Sequence, residues 1–155
     1  WVQVSGSNNK KQVDMKRFIL LIMLCLPIAG MAQDNDFFKL VEKYSLKQDC
    51  TTIELTKDAL NTKTNITTIW AISVETAELI DEFKSDATKV ISASYAPLLT
   101  VNSGGEMVKI YSIQKDGEIS DLIVFSASSS DGVLVRIVGD NLSLSQAISL
   151  MSSMQ

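Results

Sequence analysis

Few residues in this chain are of the types that commonly do chemistry. None of its 155 residues is a histidine, which removes the most common general base, the Ser-His-Asp arrangement and the zinc sites that use histidine. Glu78, Asp81 and Glu82 are spaced to share one side of a helix, where paired carboxylates could act as acid and base. Nothing in the sequence indicates that they are buried, so a solvated helix side is favoured. We therefore predict no catalytic residue, no cofactor and no metal site.

Four other residues have a functional and a structural interpretation. Arg136 could bind an anion, although pairing with a nearby carboxylate is the favoured interpretation. Trp70 and Tyr111 could line a ligand pocket, but aromatic residues in strands more often belong to the core. Cys50 could pair with another chain, or it could be a small, buried hydrophobic residue at the start of a strand, which we favour.

The N-terminal part of the chain has the three regions of a signal peptide. Residues 1–14 show no periodicity and do not begin with methionine, so we interpret them as translated upstream sequence or a misassigned start. After Met15 come a basic pair, an apolar run over 18–26 and small residues at 30–32. The apolar run is too short for a membrane span, which needs about 20 residues. We predict a signal peptide at 15–32, cleavage after Ala32, and an exported mature domain at 33–155 that begins at Gln33.

The leader also contains Cys25, which raises the alternative of a lipoprotein. A lipid attachment site needs a small residue before the cysteine, and Leu24 is not small, so lipidation is not expected. Removal of residues 1–32 takes away four basic residues and one acidic residue from a chain of net charge −4, which leaves a net charge of −7. Such an acidic domain has no electrostatic footprint for nucleic acid.

Glycine-marked turns divide the C-terminal half into four short apolar runs, the pattern of a β-meander. The turns are Asn102–Gly105, Lys115–Gly117 and Ser129–Gly132. Gly-Gly and Asp-Gly between alternating apolar runs are strong hairpin signals, because tight hairpin turns need positive φ.

Two-residue turns at Gly104-Gly105 and Asp116-Gly117 predict a strand register. That register pairs Val101 with Val108 and Leu99 with Ile110. It then places one apolar set on a single buried face, made of Val108, Ile110, Ile119, Ile123 and Phe125. The opposite face would be too apolar for solvent, so that either a helix or another chain covers it. It is our candidate interface, and it comprises Met107, Lys109, Tyr111, Leu122, Val124, Leu134 and Arg136.

Helical periodicity and strand-like runs account for the rest of the mature domain. We expect a first helix over 34–45, capped by Asn35 or Asp36, and strands over 51–56 and 66–74. A second helix has Thr76 as its cap, and a third has Ser143 as its cap. The second helix has an apolar stripe of Leu79, Ile80, Phe83, Ala87, Val90 and Ile91. The fold class that this order predicts is α+β: a mostly antiparallel sheet, including the C-terminal four-strand meander, with about three helices packed on it in two layers.

Several stretches of the mature domain together resemble a known family. They are Ile72-Ser73-Val74, Glu75-Thr76-Ala77-Glu78-Leu79-Ile80, Tyr95-Ala96-Pro97-Leu98-Leu99, Val108-Lys109-Ile110-Tyr111 and Val135-Arg136-Ile137-Val138-Gly139-Asp140. With the leader, they resemble an exported bacterial family, domain of unknown function 4252. The resemblance implies a small exported protein of Gram-negative bacteria, located in the periplasm. It brings no activity, substrate or catalytic residue with it.

Three functions remain as hypotheses at this point. The first is a non-catalytic exported domain that binds protein in the cell envelope, either another envelope protein or itself. The second is a small-molecule binding module of the periplasm, which needs an apolar cavity with a few convergent polar groups. The third is an enzyme that uses only carboxylates, tyrosine and lysine. The first is favoured, with no nucleic-acid partner and no membrane span in the mature chain.

Overall fold

A computed structural model of the protein describes residues 32–60 and 65–153. Within these residues the chain forms six strands and four helices. In chain order they are α1 (Ala32–Ser45), β1 (Cys50–Thr56), α2 (Lys57–Leu60), β2 (Ile66–Val74), α3 (Ala77–Ser92), β3 (Ala96–Ser103), β4 (Glu106–Lys115), β5 (Glu118–Ala127), β6 (Gly132–Leu142) and α4 (Leu144–Ser153). The predicted upstream segment at 1–14 and the predicted signal peptide, up to residue 31 and including Cys25, lie outside the described residues.

The six strands form one antiparallel sheet in the order β1-β2-β6-β5-β4-β3. The four strands β3 to β6 are neighbours in sequence order, as the turn pattern predicts, and β2 and β1 continue the sheet beyond β6. The α+β class with an antiparallel sheet is therefore confirmed. Because α3 carries the chain from β2 to the far side of the sheet, β3 and β1 become its two edges.

Both predicted hairpin turns have two residues in the left-handed region. At Gly104-Gly105 and at Asp116-Gly117 the four φ angles lie between 54° and 88°, which is the conformation of type I′ turns. The pairs on either side of the first turn are also as predicted: Val101 pairs with Val108, and Leu99 pairs with Ile110.

The register predicted beyond the second turn is wrong. Ile113 pairs with Asp121 and Gln114 with Ile119, so Ser120 is an extra residue that forms a β-bulge. One extra residue shifts all later pairs and exchanges the faces. As a result, Val108 and Ile110 share a face with Leu122 and Val124, whereas Lys109 and Tyr111 share a face with Ile123 and Phe125.

Helices cover both faces of the sheet, so the predicted two-layer packing is wrong. The first face, here called the α1/α3 face, packs against α1 and α3; its buried core is Phe37, Leu40, Tyr44, Ile72, Val74, Ile80, Phe83, Ala87, Ile91, Ile123, Phe125, Ala127 and Leu134. The second, the α4 face, has a core of Ile66, Ile69, Ala71, Ile110, Leu122, Val124, Val135, Ile137, Leu142 and Ala147. The central strands β2, β5 and β6 are apolar on both alternations, and burying both sets requires cover on both faces.

Two glycines are required by close packing. A Cβ atom on Gly132, at the start of β6, would lie 2.8 Å from Cδ1 of Ile80 in α3. A Cβ atom on Gly139 would collide with the backbone oxygen of Asn65. Gly132 was predicted as a turn residue, and the structure shows that the space beneath α3 is what excludes a side chain there.

Of the predicted helix caps, the one at Ser143 is present with its side-chain hydrogen bond. Ser143 and Gln146 form a capping box at the start of α4, since the Ser143 N–H donates to Gln146 Oε1 at 2.9 Å and the Gln146 N–H donates to Ser143 Oγ at 3.3 Å. Thr76 occupies the N-cap position of α3, but its side chain makes no capping hydrogen bond. The predicted cap of the first helix at Asn35 or Asp36 is wrong, because α1 begins at Ala32.

An ion-pair network joins α1 to α3. Lys43 Nζ lies 2.6 Å from Glu82 Oε1 and 2.6 Å from Asp86 Oδ2, and Lys47 Nζ lies 2.7 Å from Glu82 Oε2. The Tyr44 hydroxyl donates to Asp86 Oδ2 at 3.1 Å. Hydrogen bonds from Lys43 and Lys47 lower the pKa of Glu82 to about 2.

This network predicts a pH dependence of stability. The pKa of Glu82 is lower in the folded chain than its ordinary value of 4.5, so its contribution is present above the ordinary value and is lost as the pH falls through the folded pKa. Glu82→Gln should therefore lower the stability at neutral pH. It should also reduce the loss of stability as the pH falls from 4.5 to about 2. Denaturant unfolding at a series of pH values measures this. Glu78→Gln, an exposed change on the same helix, is the control, and an equal effect of both variants would contradict the prediction.

Candidate functional site

The bulge at Ser120 divides the seven residues of the candidate interface between the two faces. Leu122 and Val124 lie in the core of the α4 face. The other five lie on the α1/α3 face: Met107, Lys109, Tyr111, Leu134 and Arg136. Leu122, Val124, Leu134 and Arg136 are each at most 4% exposed. The seven residues therefore do not form one contiguous surface band, which is a correction to the predicted arrangement.

Arg136 pairs with Asp121 inside the α1/α3 face. Its Nε donates to Asp121 Oδ2 at 3.1 Å, and its Nη2 donates to the same oxygen at 2.7 Å. The guanidinium carbon lies 5.1 Å from the ring centre of Phe37 and 5.4 Å from that of Trp70, within the range of cation–π attraction. The favoured interpretation of Arg136, pairing with a carboxylate, is confirmed.

Tyr95 completes this polar cluster from the segment between α3 and β3. Its ring packs against the core of the α1/α3 face. Burial, and then the neighbouring Asp121 carboxylate, raise the pKa of the Tyr95 hydroxyl. The side chains of Arg136 and Asp121 are 5% and 9% exposed, so the pair is enclosed by protein. The pair joins β6 to β5, and the Phe37 ring of α1 lies against its guanidinium.

The remaining candidate residues pack into the same face. Trp70 and Tyr111 are partly buried against its core, which is the structural interpretation that the sequence favoured. Cys50, at the start of β1, is also partly buried against this core. Burial raises the pKa of its thiol, and this lowers the fraction of reactive thiolate.

Two surface grooves have the volume of a small-molecule site. One, of about 340 Å³, lies between α1 and α3 and is lined mainly by charged side chains, among them Asp36, Lys39 and Asp86. The other, of about 300 Å³, lies beside α4 and is lined by Ile66, Ser145, Gln146, Ser149 and Leu150. Both are open depressions, whereas small-molecule sites enclose most of their ligand. In the part of the chain that the structure describes, no three histidine, cysteine or acidic residues are grouped as metal ligands.

The most unusual surface is the edge strand β3. All eight of its residues are exposed, and its apolar side chains Leu98, Leu99 and Val101 are 41%, 37% and 44% exposed. No residue of β3 is charged. Natural edge strands are usually protected by charges, proline or bulges. In β3, Pro97 and the irregularity before Leu99 protect only the beginning.

The hairpin geometry determines which backbone groups of β3 are available. A two-residue turn is closed by a hydrogen-bonded pair, here Ser103 with Glu106. Alternation then directs the N–H and C=O groups of Val101 towards β4 and those of Thr100 and Asn102 away from the sheet. The strand thus presents unpaired backbone groups, with Leu99 and Val101 on the α4 face.

The exposure of β3 is not evident from the local sequence pattern. Leu99 and Val101 alternate with polar residues like any half-buried strand, and their pairing with β4 was predicted correctly. The edge position depends on the crossover through α3, which makes β3 the last strand of the sheet formed by residues 32–60 and 65–153. A local pattern contains no information on that placement. The absence of charge over 96–103 was the one available signal.

These observations define the class of protein. It is an α+β domain with a six-stranded antiparallel sheet, helices on both faces and an uncharged edge. A family model described as "Domain of unknown function (DUF4252)" matches residues 33–150. The match covers most of the chain, so the chain belongs to this family, and the resemblance noted in the sequence is confirmed. No curated protein and no solved structure shows a significant match. The helices at 32–60 and 65–153 are too short or too polar to cross a membrane.

The buried pair provides a stability test. Asp121→Ala removes the carboxylate that balances a buried guanidinium, and breaking a buried ion pair in this way costs about 3–5 kcal/mol. Replacing both residues, with Asp121→Leu and Arg136→Met, removes both charges and should restore most of that loss. Denaturant melts of the single and double variants measure the difference. A double variant as unstable as the single one would contradict a balanced pair.

Proposed function

We propose that this chain is an exported, non-catalytic domain that acts by binding protein, and that the β3 edge is its binding surface. The observation that carries the proposal is an uncharged, partly apolar edge strand in which every residue is exposed. Such an edge is a template for strand addition, in which a partner segment pairs with the backbone and places alternate side chains against the sheet.

The surroundings of β3 suit such a partner. Outward backbone groups at Thr100 and Asn102 supply main-chain hydrogen bonds, and Leu99 and Val101 supply apolar contact on the α4 face. On the other face, Met107 and Lys109 of β4 pair with Asn102 and Thr100. These two residues belong to the candidate interface of the sequence analysis and are half-buried beside the edge. Methionine is enriched at protein interfaces.

Two features support the non-catalytic part of the proposal. The sequence has no histidine, and the most enclosed charged groups of the described residues, Arg136 and Asp121, bind each other. The grooves beside α1 and α4 are open, and neither supports the alternative of a small-molecule binding module. Support for export to the periplasm comes from the leader sequence at 15–32 and from the resemblance to an exported family.

Export has a direct test. In its native host, the protein should be recovered from the periplasm with Gln33 as its first residue, because the leader has a basic region, an apolar region and small residues before the cleavage position. N-terminal sequencing and mass spectrometry determine this end. A chain that retains Met15, or that carries a lipid on Cys25, would contradict the proposal.

Protein binding at β3 is testable by site-specific photo-cross-linking in cells that produce the full chain. A photoreactive amino acid at Thr100 should give cross-linked products, since this residue lies at the middle of the edge. The same amino acid at Thr51, an exposed threonine in the other edge strand, is the matched control and should give few. Equal yields at the two positions, or no product from Thr100, would contradict the proposal.

A further inference from the structure

We infer that the occupant of the β3 edge is β3 of a second copy of this chain, paired antiparallel about a two-fold axis at Thr100. This inference rests on the proposed function, because it takes the same edge as the binding surface and identifies its partner. Two observations carry it: the distribution of charge over the sheet edges, and the fit of β3 to itself.

Charge favours β3 as the surface on which two copies meet. The chain is acidic, with a net charge of −4, so two copies repel each other except where the surfaces in contact are uncharged. The eight residues of β3 include no ionisable side chain. The opposite edge, β1, has Glu54 near its middle, and self-pairing there would bring two carboxylates together, which is destabilising across strands.

The sequence of β3 is complementary to itself in one antiparallel register. With the two-fold axis at Thr100, the two Thr100 residues face each other, and Leu99 of each copy pairs with Val101 of the other. Threonine pairs and aliphatic pairs across strands are both stabilising. The outward N–H and C=O groups of the two Thr100 residues can then exchange two hydrogen bonds.

Other antiparallel registers of β3 with itself pair the side chains less well. A shift of one residue pairs side chains of opposite faces. An axis at Leu99 places Val101 opposite Pro97, which has no N–H. An axis at Val101 places Leu99 opposite Ser103 and leaves the leucine without an apolar partner. The axis at Thr100 alone pairs both exposed aliphatic residues of the α4 face with each other.

The interface that results is small. Stable complexes bury about 1,200–2,000 Å² in total, and smaller interfaces are generally weak or transient. Pairing of two strands of eight residues contributes little more than one ladder and a few side chains. We therefore expect a reversible dimer whose population rises with concentration, built on a continuous sheet that runs through both copies.

Sedimentation of the protein purified from cells that produce the full chain tests the dimer. The wild type should show a monomer–dimer equilibrium, and Val101→Lys should shift it to monomer. At a concentration where the wild type is monomeric the two melting temperatures should agree, because Val101 is exposed and only dimer formation adds stability at higher concentration. Ile53→Lys is the matched control, since Ile53 lies on the β1 edge and is 45% exposed against 44% for Val101. A dimer unaffected by Val101→Lys, or equally disrupted by Ile53→Lys, would overturn the inference.

Disulfide trapping tests the register. In a background with Cys25→Ala and Cys50→Ala, Thr100→Cys should oxidise to a covalent dimer, since facing residues have Cα atoms about 5.5 Å apart, within disulfide range. Asn102→Cys should form no covalent dimer. In this register residue 102 of one copy faces Leu98 of the other, four residues along the strand from the second cysteine. Equally fast trapping of the two variants would overturn the register.

The outcomes separate this inference from the proposed function. If the purified protein is monomeric at all concentrations and Thr100 cross-links in cells to a different protein, the self-pairing is wrong and the protein-binding edge is retained. If Thr100 gives no cross-link in cells, both are wrong. If the cross-linked product is a dimer of this chain, both are supported.

Discussion

The buried ion pair between Arg136 and Asp121 lies where most parts of the α1/α3 face meet. Arginine comes from β6, the carboxylate from β5, and the rings above the guanidinium from α1 and β2. Removing two charges from water is costly, and the cost is offset only with good geometry and additional contacts. Here the same arginine donates hydrogen bonds to both carboxylate oxygens of Asp121 and lies against two aromatic rings. One side chain of β6 therefore contacts β5, β2 and α1 at a single point of the α1/α3 face.

The arrangement of helices on both faces of the sheet follows from the need to bury both sides of the central strands. Because β2, β5 and β6 are apolar on both alternations, α1 and α3 cover one face while α4 packs on the other. The strands at the two edges of the sheet, β1 and β3, are its most exposed strands. The two edges differ in charge, and that difference makes β3 the better surface for a partner.

Sequence patterns predicted the elements that depend on local signals. The two tight glycine turns, the helix cap at Ser143 and the apolar stripe of α3 each depend on a few adjacent residues, and each is present. The register of β5 was not predictable in this way. Its residues 122–125 are all apolar, so both registers bury a complete apolar set and the pattern does not show the bulge at Ser120. The division of the candidate interface and the exposure of β3 depend on that bulge and on the crossover, which are properties of the whole sheet.

The pairing of β2 with β6 has a consequence for how the chain folds. The three hairpins of β3 to β6 connect strands that are adjacent in sequence, whereas the β2–β6 ladder joins Ile66 to Gly139. Closing such a long loop costs more conformational entropy than closing a hairpin, and non-local pairing is slow. The four-strand meander can therefore form early, with β6 as an open edge until β2 docks. A meander formed in this order has two open edges, β3 and β6. Asn65, which hydrogen-bonds to the backbone of Asn141 and to Gln146, stabilises the junction of β2 with β6 in the folded chain.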